Sequence, residues 1–238
     1  NVKGKHLKNS TKLLVISIHF LTAVLLLCCT AALSYAFKLP DTGQTKCYNT
    51  SGAEISCTGT GQDGEYSINP MSFTDNGTDT VTDNNTGLMW QKEDDNTTRT
   101  WANAGTYCDS LSLGGYSDWR LPTKKELITI VDYSIPYPGP TIKTTYFPNT
   151  KSFDYWSSTT YSGDTGSAWR VGFTDGYAYS NGKKTYNTLY VRCVRGGLSS
   201  PSFTDNGNGT VTDNKTGLIW QQGEPGYKSW ADALSYCN

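Results

Sequence analysis

"SFTDNGTDTVTDNNTGLMWQ" occupies Ser72–Gln91, and "SFTDNGNGTVTDNKTGLIWQ" occupies Ser202–Gln221. Sixteen of the twenty aligned positions are identical. Each stretch reads as a β-hairpin: a Thr/Val-rich run, an Asn/Thr/Gly turn (Asn84–Gly87 in the first), then an apolar run ending in Trp-Gln. Asn and Gly accept the positive φ that such turns require. A hairpin cannot bury its apolar face alone, so writing it twice marks two tandem domains that each build on it.

Downstream of the first hairpin, "TWANAGTYCDSLSLGG" reads as a helix with Thr100 as N-cap and Gly114–Gly115 as its stop. Trp101, Ala104, Cys108 and Leu111 share one face, which turns Cys108 inward. "RLPTKKELITIVDYS" opens a second helix, where Thr123 and Glu126 have capping-box spacing. Three strand candidates follow a Pro/Tyr-rich loop. They are "YWSSTTY", "AWRVGFTDG" with Trp169, Val171 and Phe173 inward and Arg170 outward, and "NTLYVRCVRG" with Leu189, Val191 and Cys193 on one face and Tyr190 and Arg192 opposite. Cys108 and Cys193 are therefore expected to meet in one core and to bond. The fold class expected is α+β. After "GGLSSPS" the pattern restarts: Trp101, Ala104, Tyr107 and Cys108 recur as Trp230, Ala233, Tyr236 and Cys237. No partner for Cys237 can be read.

The chain of 238 residues is polar and aromatic, with Tyr 16, Trp 7, Gly 24 and mean hydropathy −0.50. That suits a turn-rich globular protein rather than a helical bundle or a disordered chain. Lys3, Lys5, Lys8 and Lys12 precede an apolar run that ends in "SYA" at Ser34–Ala36, the pattern of a secretory signal peptide cleaved after Ala36. The alternative is a retained anchor, since the run is near the ~20 residues that span a bilayer. Export favours a disulfide between Cys47 and Cys57.

Without residues 1–36 the chain keeps 16 basic and 21 acidic residues, a net charge of −5. That argues against nucleic acid as a partner. Both histidines, His6 and His19, fall in the targeting segment. A Ser–His–Asp triad, a Cys–His pair and a histidine-ligated zinc are thereby excluded from the exported part. Asp75, Asp79 and Asp83 suggest calcium, but the twelfth position of an EF-hand loop begun at Asp75 is Thr86. Turn chemistry explains these residues better, and neither metal nor cofactor is expected.

The organisation expected is a signal peptide over 1–36, an N-terminal arm over 37–71, a first complete domain over 72–197, a linker over 198–201 and the truncated start of a second copy over 202–238. "GGYSDWRLPTKKEL", "YWSSTTY", "AWRVGF" and "YVRCVRG", in that order after the hairpin, resemble the Lcl C-terminal-domain family, a bacterial branch of the C-type lectin-like fold. The resemblance implies two helices packed on a twisted antiparallel sheet, stapled by a helix-to-last-strand disulfide. It implies a secreted or surface-exposed, adhesin-like binding module for a glycan, a matrix component or a host protein, without catalysis. Calcium is not expected, because the Glu-Pro-Asn, Gln-Pro-Asp and Trp-Asn-Asp signatures of sugar-binding C-type lectins are absent. A structural subunit of an envelope or appendage assembly is the alternative. An enzyme of the formylglycine-generating type ranks below both, because it needs reactive cysteines and Cys193 is assigned to a disulfide.

For a binding site, "YSGDTGSAWRVGFTDGYAYSNGKKTY" reads as the best loop region. Asp175, Tyr177, Tyr179, Lys183, Lys184 and Tyr186 bring together rings that stack on sugars and charges that pair with sulfate or carboxylate. Trp90, Trp101, Trp119, Trp156 and Trp169 are expected in the core. Arg120 is expected as a structural arginine paired with a carboxylate.

Overall fold

The computed structural model describes residues 38–197 and 201–237. The expected signal segment and most of the linker lie outside them. Among the described residues no helix is long and apolar enough to cross a membrane.

The architecture is α+β: small antiparallel sheets, few helices and two disulfides. The arm carries a two-residue ladder, β1 (Cys47–Tyr48) against β2 (Glu54–Ile55), closed by the Cys47–Cys57 disulfide with Cα atoms 5.1 Å apart. The repeated stretch forms three strands, not two: β3 (Phe73–Asp75), β4 (Thr80–Asp83) and β5 (Met89–Gln91). The extra strand forms because Phe73 turns into the core while Thr74 and Asp75 stay exposed. Trp90 pairs with Val81 across the ladder.

Helix α1 (Trp101–Asp109) buries Ala104 and Cys108 and ends five residues before Gly114. Thr100 occupies the N-cap position in extended backbone without a side-chain cap bond. Helix α2 (Lys124–Ile128) is a single capped turn in which the expected capping box is complete. Glu126 N donates to Thr123 Oγ1 at 3.2 Å, and Thr123 N donates to Glu126 Oε2 at 2.8 Å.

The second sheet contains β6 (Asp154–Thr160), β7 (Ser167–Gly172) and β8 (Ala178–Lys183), with β7 in the centre. The last strand, β9 (Val194–Arg195), returns to pair with β5 and closes the first sheet in the order β3-β4-β5-β9. The Cys108–Cys193 disulfide links α1 to the residue before β9, with Cα atoms 5.5 Å apart. Both distances lie in the ordinary range for cystines.

The core divides in two. Phe73, Val81, Trp90, Leu127, Phe147, Tyr155, Phe173 and Val194 make one cluster. Ala104, Cys108, Trp119, Trp156, Ala168, Leu189 and Cys193 make the other. Residues 189–194 run between them, and Arg192 lies opposite Cys193 as the alternation expects. Leu189, Val191 and Cys193 do face one cluster, but the opposite side is covered too, so Arg192 is completely buried. Its guanidinium donates to Gln91 O at 2.7 Å and to Thr150 Oγ1 at 2.9 Å, and lies 3.3 Å from Asp94 Oδ2. Tyr155 Oη donates to the same Asp94 oxygen at 2.6 Å. Burial pushes the Tyr155 hydroxyl pKa up.

Trp90, Trp119 and Trp156 are buried as expected. Trp101 and Trp169 are only half-buried. For Trp169 the cause is an irregularity between Ala168 and Arg170 in the β7–β8 pairing. A bulge breaks the two-residue alternation. Ala168 and Val171 therefore keep the interior, and Trp169 sits outside beneath Lys124, whose Nζ is 3.9 Å from the ring centroid. Arg120 is paired as expected. It grips Glu126 with both terminal nitrogens, at 2.8 and 2.6 Å.

Strands β10 (Phe203–Asp205), β11 (Thr210–Asp213) and β12 (Ile219–Gln221) reproduce the β3–β5 register pair for pair. Helix α3 (Trp230–Cys237) follows. Phe203 and Trp220 are 60% and 56% exposed where Phe73 and Trp90 are 7% and 0%. Among the described residues no strand pairs with β12 as β9 pairs with β5.

Candidate functional site

The turn between β7 and β8 is built around two glycines. Gly172 N donates to Tyr177 O at 2.9 Å, and Gly176 N donates to Gly172 O at 2.8 Å. Gly176 has φ +78°, and a Cβ there would lie 2.8 Å from Tyr133 Cε1 and 2.9 Å from Val131 Cγ1. Only glycine satisfies both conditions. Tyr133 Oη donates to Gly176 O at 2.9 Å and ties the turn to the segment after α2.

Asp175 braces the turn from within. Its Oδ1 accepts from Tyr177 N at 3.0 Å, and its Oδ2 accepts from Tyr179 Oη at 2.5 Å. The bond to this carboxylate, helped by burial, pushes the Tyr179 hydroxyl pKa up to about 12. Tyr177 is 63% exposed, and its ring meets that of Tyr179 edge-on at 6.3 Å. The Arg170 guanidinium lies 5.1 Å from the Tyr179 ring centroid. Arg170 also pairs with Asp154, and its Nη2 donates to Asn181 Oδ1 at 3.0 Å.

Gly172 forms the floor. A Cβ there would meet Asp154 Oδ1 at 2.9 Å, Asp175 Oδ1 at 3.1 Å and Tyr179 Cε2 at 3.3 Å. Two carboxylates thus converge over one glycine. Burial raises the Asp154 carboxyl pKa; the Arg170 charge opposes the shift and the Asp175 charge adds to it.

The six site residues expected from the sequence are not together. Residues 178–183 form a strand instead of a loop, and six strand residues span about 20 Å. Asp175, Tyr177 and Tyr179 lie at the start of β8. Lys183, Lys184 and Tyr186 lie at its far end. Neither lysine is unpartnered: Lys183 pairs with Asp164, while Lys184 donates to Thr160 Oγ1 at 2.7 Å and lies 4.2 Å from the Trp101 ring centroid. Tyr186 is 68% exposed on the turn beyond. Sequence reading did not select Asp154, Arg170 and Asn181. The outward direction of Arg170 is readable from strand alternation, but its cross-strand neighbours depend on register.

The acidic repeat at Asp75, Asp79 and Asp83 serves the hairpin. Asp75 is tied to Lys92 at 2.7 Å, which holds its carboxyl below the usual range. Asp83 is buried and accepts from Thr86 Oγ1 at 2.6 Å and Asn85 N at 2.9 Å. Among the described residues no group of three metal-ligating side chains converges. Cys237 is the one cysteine outside a disulfide among them.

Residues 79–195 match the family model of the Lcl C-terminal domain. Comparison with curated proteins returned no match.

Proposed function

We propose that residues 72–197 form a non-enzymatic binding module of an exported or surface-exposed protein, built on a C-type lectin-like scaffold, with residues 202–237 the start of a second module of the same kind. The observation that carries this reading is Tyr177. It is a large ring held 63% exposed at a turn that Asp175, Tyr179 and Tyr133 all fasten. A large aromatic ring on a braced turn offers contact area at low conformational cost, and such rings are favoured contact residues.

The electrostatics fit binding rather than bond making. The exported part has no histidine, and Cys193 is held in a disulfide. Arg170 is paired with Asp154, and the Asp175 carboxylate accepts from Tyr177 N and Tyr179 Oη. Binding on this reading needs no calcium.

The test is equilibrium binding of the full chain to arrayed neutral glycans, sulfated glycans and extracellular-matrix proteins, beside Tyr177→Ala. Saturable binding that the substitution weakens, with an unchanged near-UV circular dichroism spectrum, is the expected result. A folded protein that binds none of these ligands, or that turns one of them over, overturns the reading.

A further inference from the structure

The charges around Tyr177 indicate what kind of ligand the turn would accept. We infer that the face formed by Tyr177, Tyr179, Arg170 and Asn181, flanked by Asp154 and Asp175, takes an uncharged, hydroxyl-rich sugar ring and not a sulfated one. This deepens the binding-module reading and rests on it.

Three observations carry the inference. The first is the ring. Tyr177 is exposed, its backbone N–H is bonded to Asp175, and its ring stands edge-on to Tyr179. A fixed aromatic face gives the C–H side of a sugar an apolar surface at little entropic cost.

The second is the ordering of polar groups. Arg170 Nη2 occupies the Asn181 carbonyl oxygen, which turns the amide nitrogen of that exposed residue away from the guanidinium. Among the described residues no partner occupies that nitrogen. Asp154 Oδ1 and Asp175 Oδ1 both approach Gly172, each with acceptor capacity to spare. Oriented amide donors beside carboxylate acceptors match neighbouring hydroxyls, which donate and accept at once.

The third is charge. The face holds two carboxylates and one guanidinium, and that guanidinium is already paired with Asp154. The lysines that could have answered a sulfate are at the other end of β8 and engaged there. A sulfate at Tyr177 would meet a like-charged surface and break an existing pair, and like-charge juxtaposition selects against wrong partners.

Cellohexaose, mannohexaose, chitohexaose, a heparin-derived hexasaccharide and a hexalysine peptide, each titrated calorimetrically into the full chain, test the inference. The variants are Tyr177→Ala, Asn181→Ala and Lys183→Ala/Lys184→Ala. All change residues at least partly exposed to solvent, and unfolding is checked by near-UV circular dichroism. The expected result is saturable binding of at least one neutral hexamer, weakened about tenfold by Tyr177→Ala and severalfold by Asn181→Ala, and unchanged by the double lysine variant. Preferential heparin binding that the lysine substitutions abolish and Tyr177→Ala leaves intact overturns the inference while sparing the binding-module reading. Binding of hexalysine alone does the same and assigns the face to a cationic peptide. Absence of binding by all five probes overturns the sugar assignment; the matrix-protein arm of the broader screen then decides whether the module reading falls with it.

Discussion

Arg120 and Glu126 form a two-pronged ion pair, Nη1 to Oε2 at 2.8 Å and Nη2 to Oε1 at 2.6 Å, and the same carboxylate accepts from Thr123 N to complete the cap of α2. Glu126 is 2% exposed. Arg120 also donates to Gly196 O at 2.6 Å, so the pair joins the start of α2 to the exit from β9. Glu126→Ala leaves a half-buried guanidinium without its carboxylate and the Thr123 N–H without its acceptor, while the Thr123 hydroxyl still caps the backbone of residue 126. A fully buried pair broken in this way costs 3–5 kcal/mol, and partial solvation of Arg120 brings the expectation to about 2–3 kcal/mol. Urea denaturation measures it, and a loss below about 0.5 kcal/mol would contradict the role assigned.

The same carboxylate gives a pH prediction. Burial alone would raise its pKa, but the hydrogen bonds from Arg120 and Thr123 outweigh burial and hold it below the usual range. Asp132 behaves alike: its burial is outweighed by Lys143 and Ser134. A depressed folded-state pKa contributes stability that is present above the unfolded carboxylate value, roughly 4, and is lost as pH falls through the folded value. The wild type is therefore expected to lose stability on acidification below about pH 4. Glu126→Gln should flatten that limb of the profile. Identical slopes in the two proteins would remove Glu126 from the account.

How much of this was legible in the sequence depended on how local each signal was. Thr123 and Glu126 are three residues apart, and the cap they form was readable from spacing alone. Cys108 and Cys193 are 85 residues apart, yet each lay on an apolar face of its own element, so their meeting could be inferred. The alternation also put Arg192 opposite Cys193, but its segment is covered on both sides, so Arg192 is buried, which no single-strand pattern records. At the candidate site, Asp175, Tyr177 and Tyr179 were found as a local density of polar and aromatic residues. Asp154 and Asn181 reach the same face only through the β6–β7 and β7–β8 registers, each of which contains a shift that sequence alternation does not encode.

The Cys108–Cys193 bond closes a long loop, and chain-entropy reasoning gives an upper figure of about 4.5 kcal/mol for it. Cys108→Ala/Cys193→Ala should lower the denaturation midpoint far more than Cys47→Ala/Cys57→Ala, whose loop spans only 10 residues. The comparison is made by thermal unfolding of the two double variants under oxidising conditions. A larger effect from the arm disulfide would show that the domain core does not depend on its long-range staple.

Asp94 and Arg192 offer a cleaner separation of charge from packing, because both are within 1% of complete burial. Asp94→Asn strands a buried guanidinium and should cost about 3–5 kcal/mol. Arg192→Met strands Asp94, which keeps the Tyr155 hydroxyl as a partner, and should cost somewhat less. Combining Asp94→Asn with Arg192→Met removes both charges while retaining the volume, and the double variant should recover part of the loss. A double-mutant cycle on unfolding free energies measures the coupling, and additivity within about 0.5 kcal/mol would mean that the two side chains do not stabilise each other.

The last prediction concerns the mount of the candidate face. Gly176 combines φ +78° with side-chain atoms of Tyr133 and Val131 inside 3.0 Å of any Cβ. Gly176→Ala must move the turn, Tyr133 or both. The backbone strain alone is of order 1–3 kcal/mol, and Tyr133 loses its hold on Gly176 O if the ring is displaced. Gly197→Ala is the control, since nothing lies within 4 Å of a Cβ there. The control should change stability by less than about 0.5 kcal/mol. Chemical denaturation separates the two substitutions, and two-dimensional amide NMR shows where the structure shifts. Chemical-shift changes concentrated at Tyr133, Asp175, Tyr177 and Tyr179 are expected. Equal stabilities, or changes confined to residues away from that turn, would mean that the exposed tyrosine is not rigidly mounted and that its ring is not preorganised for a ligand.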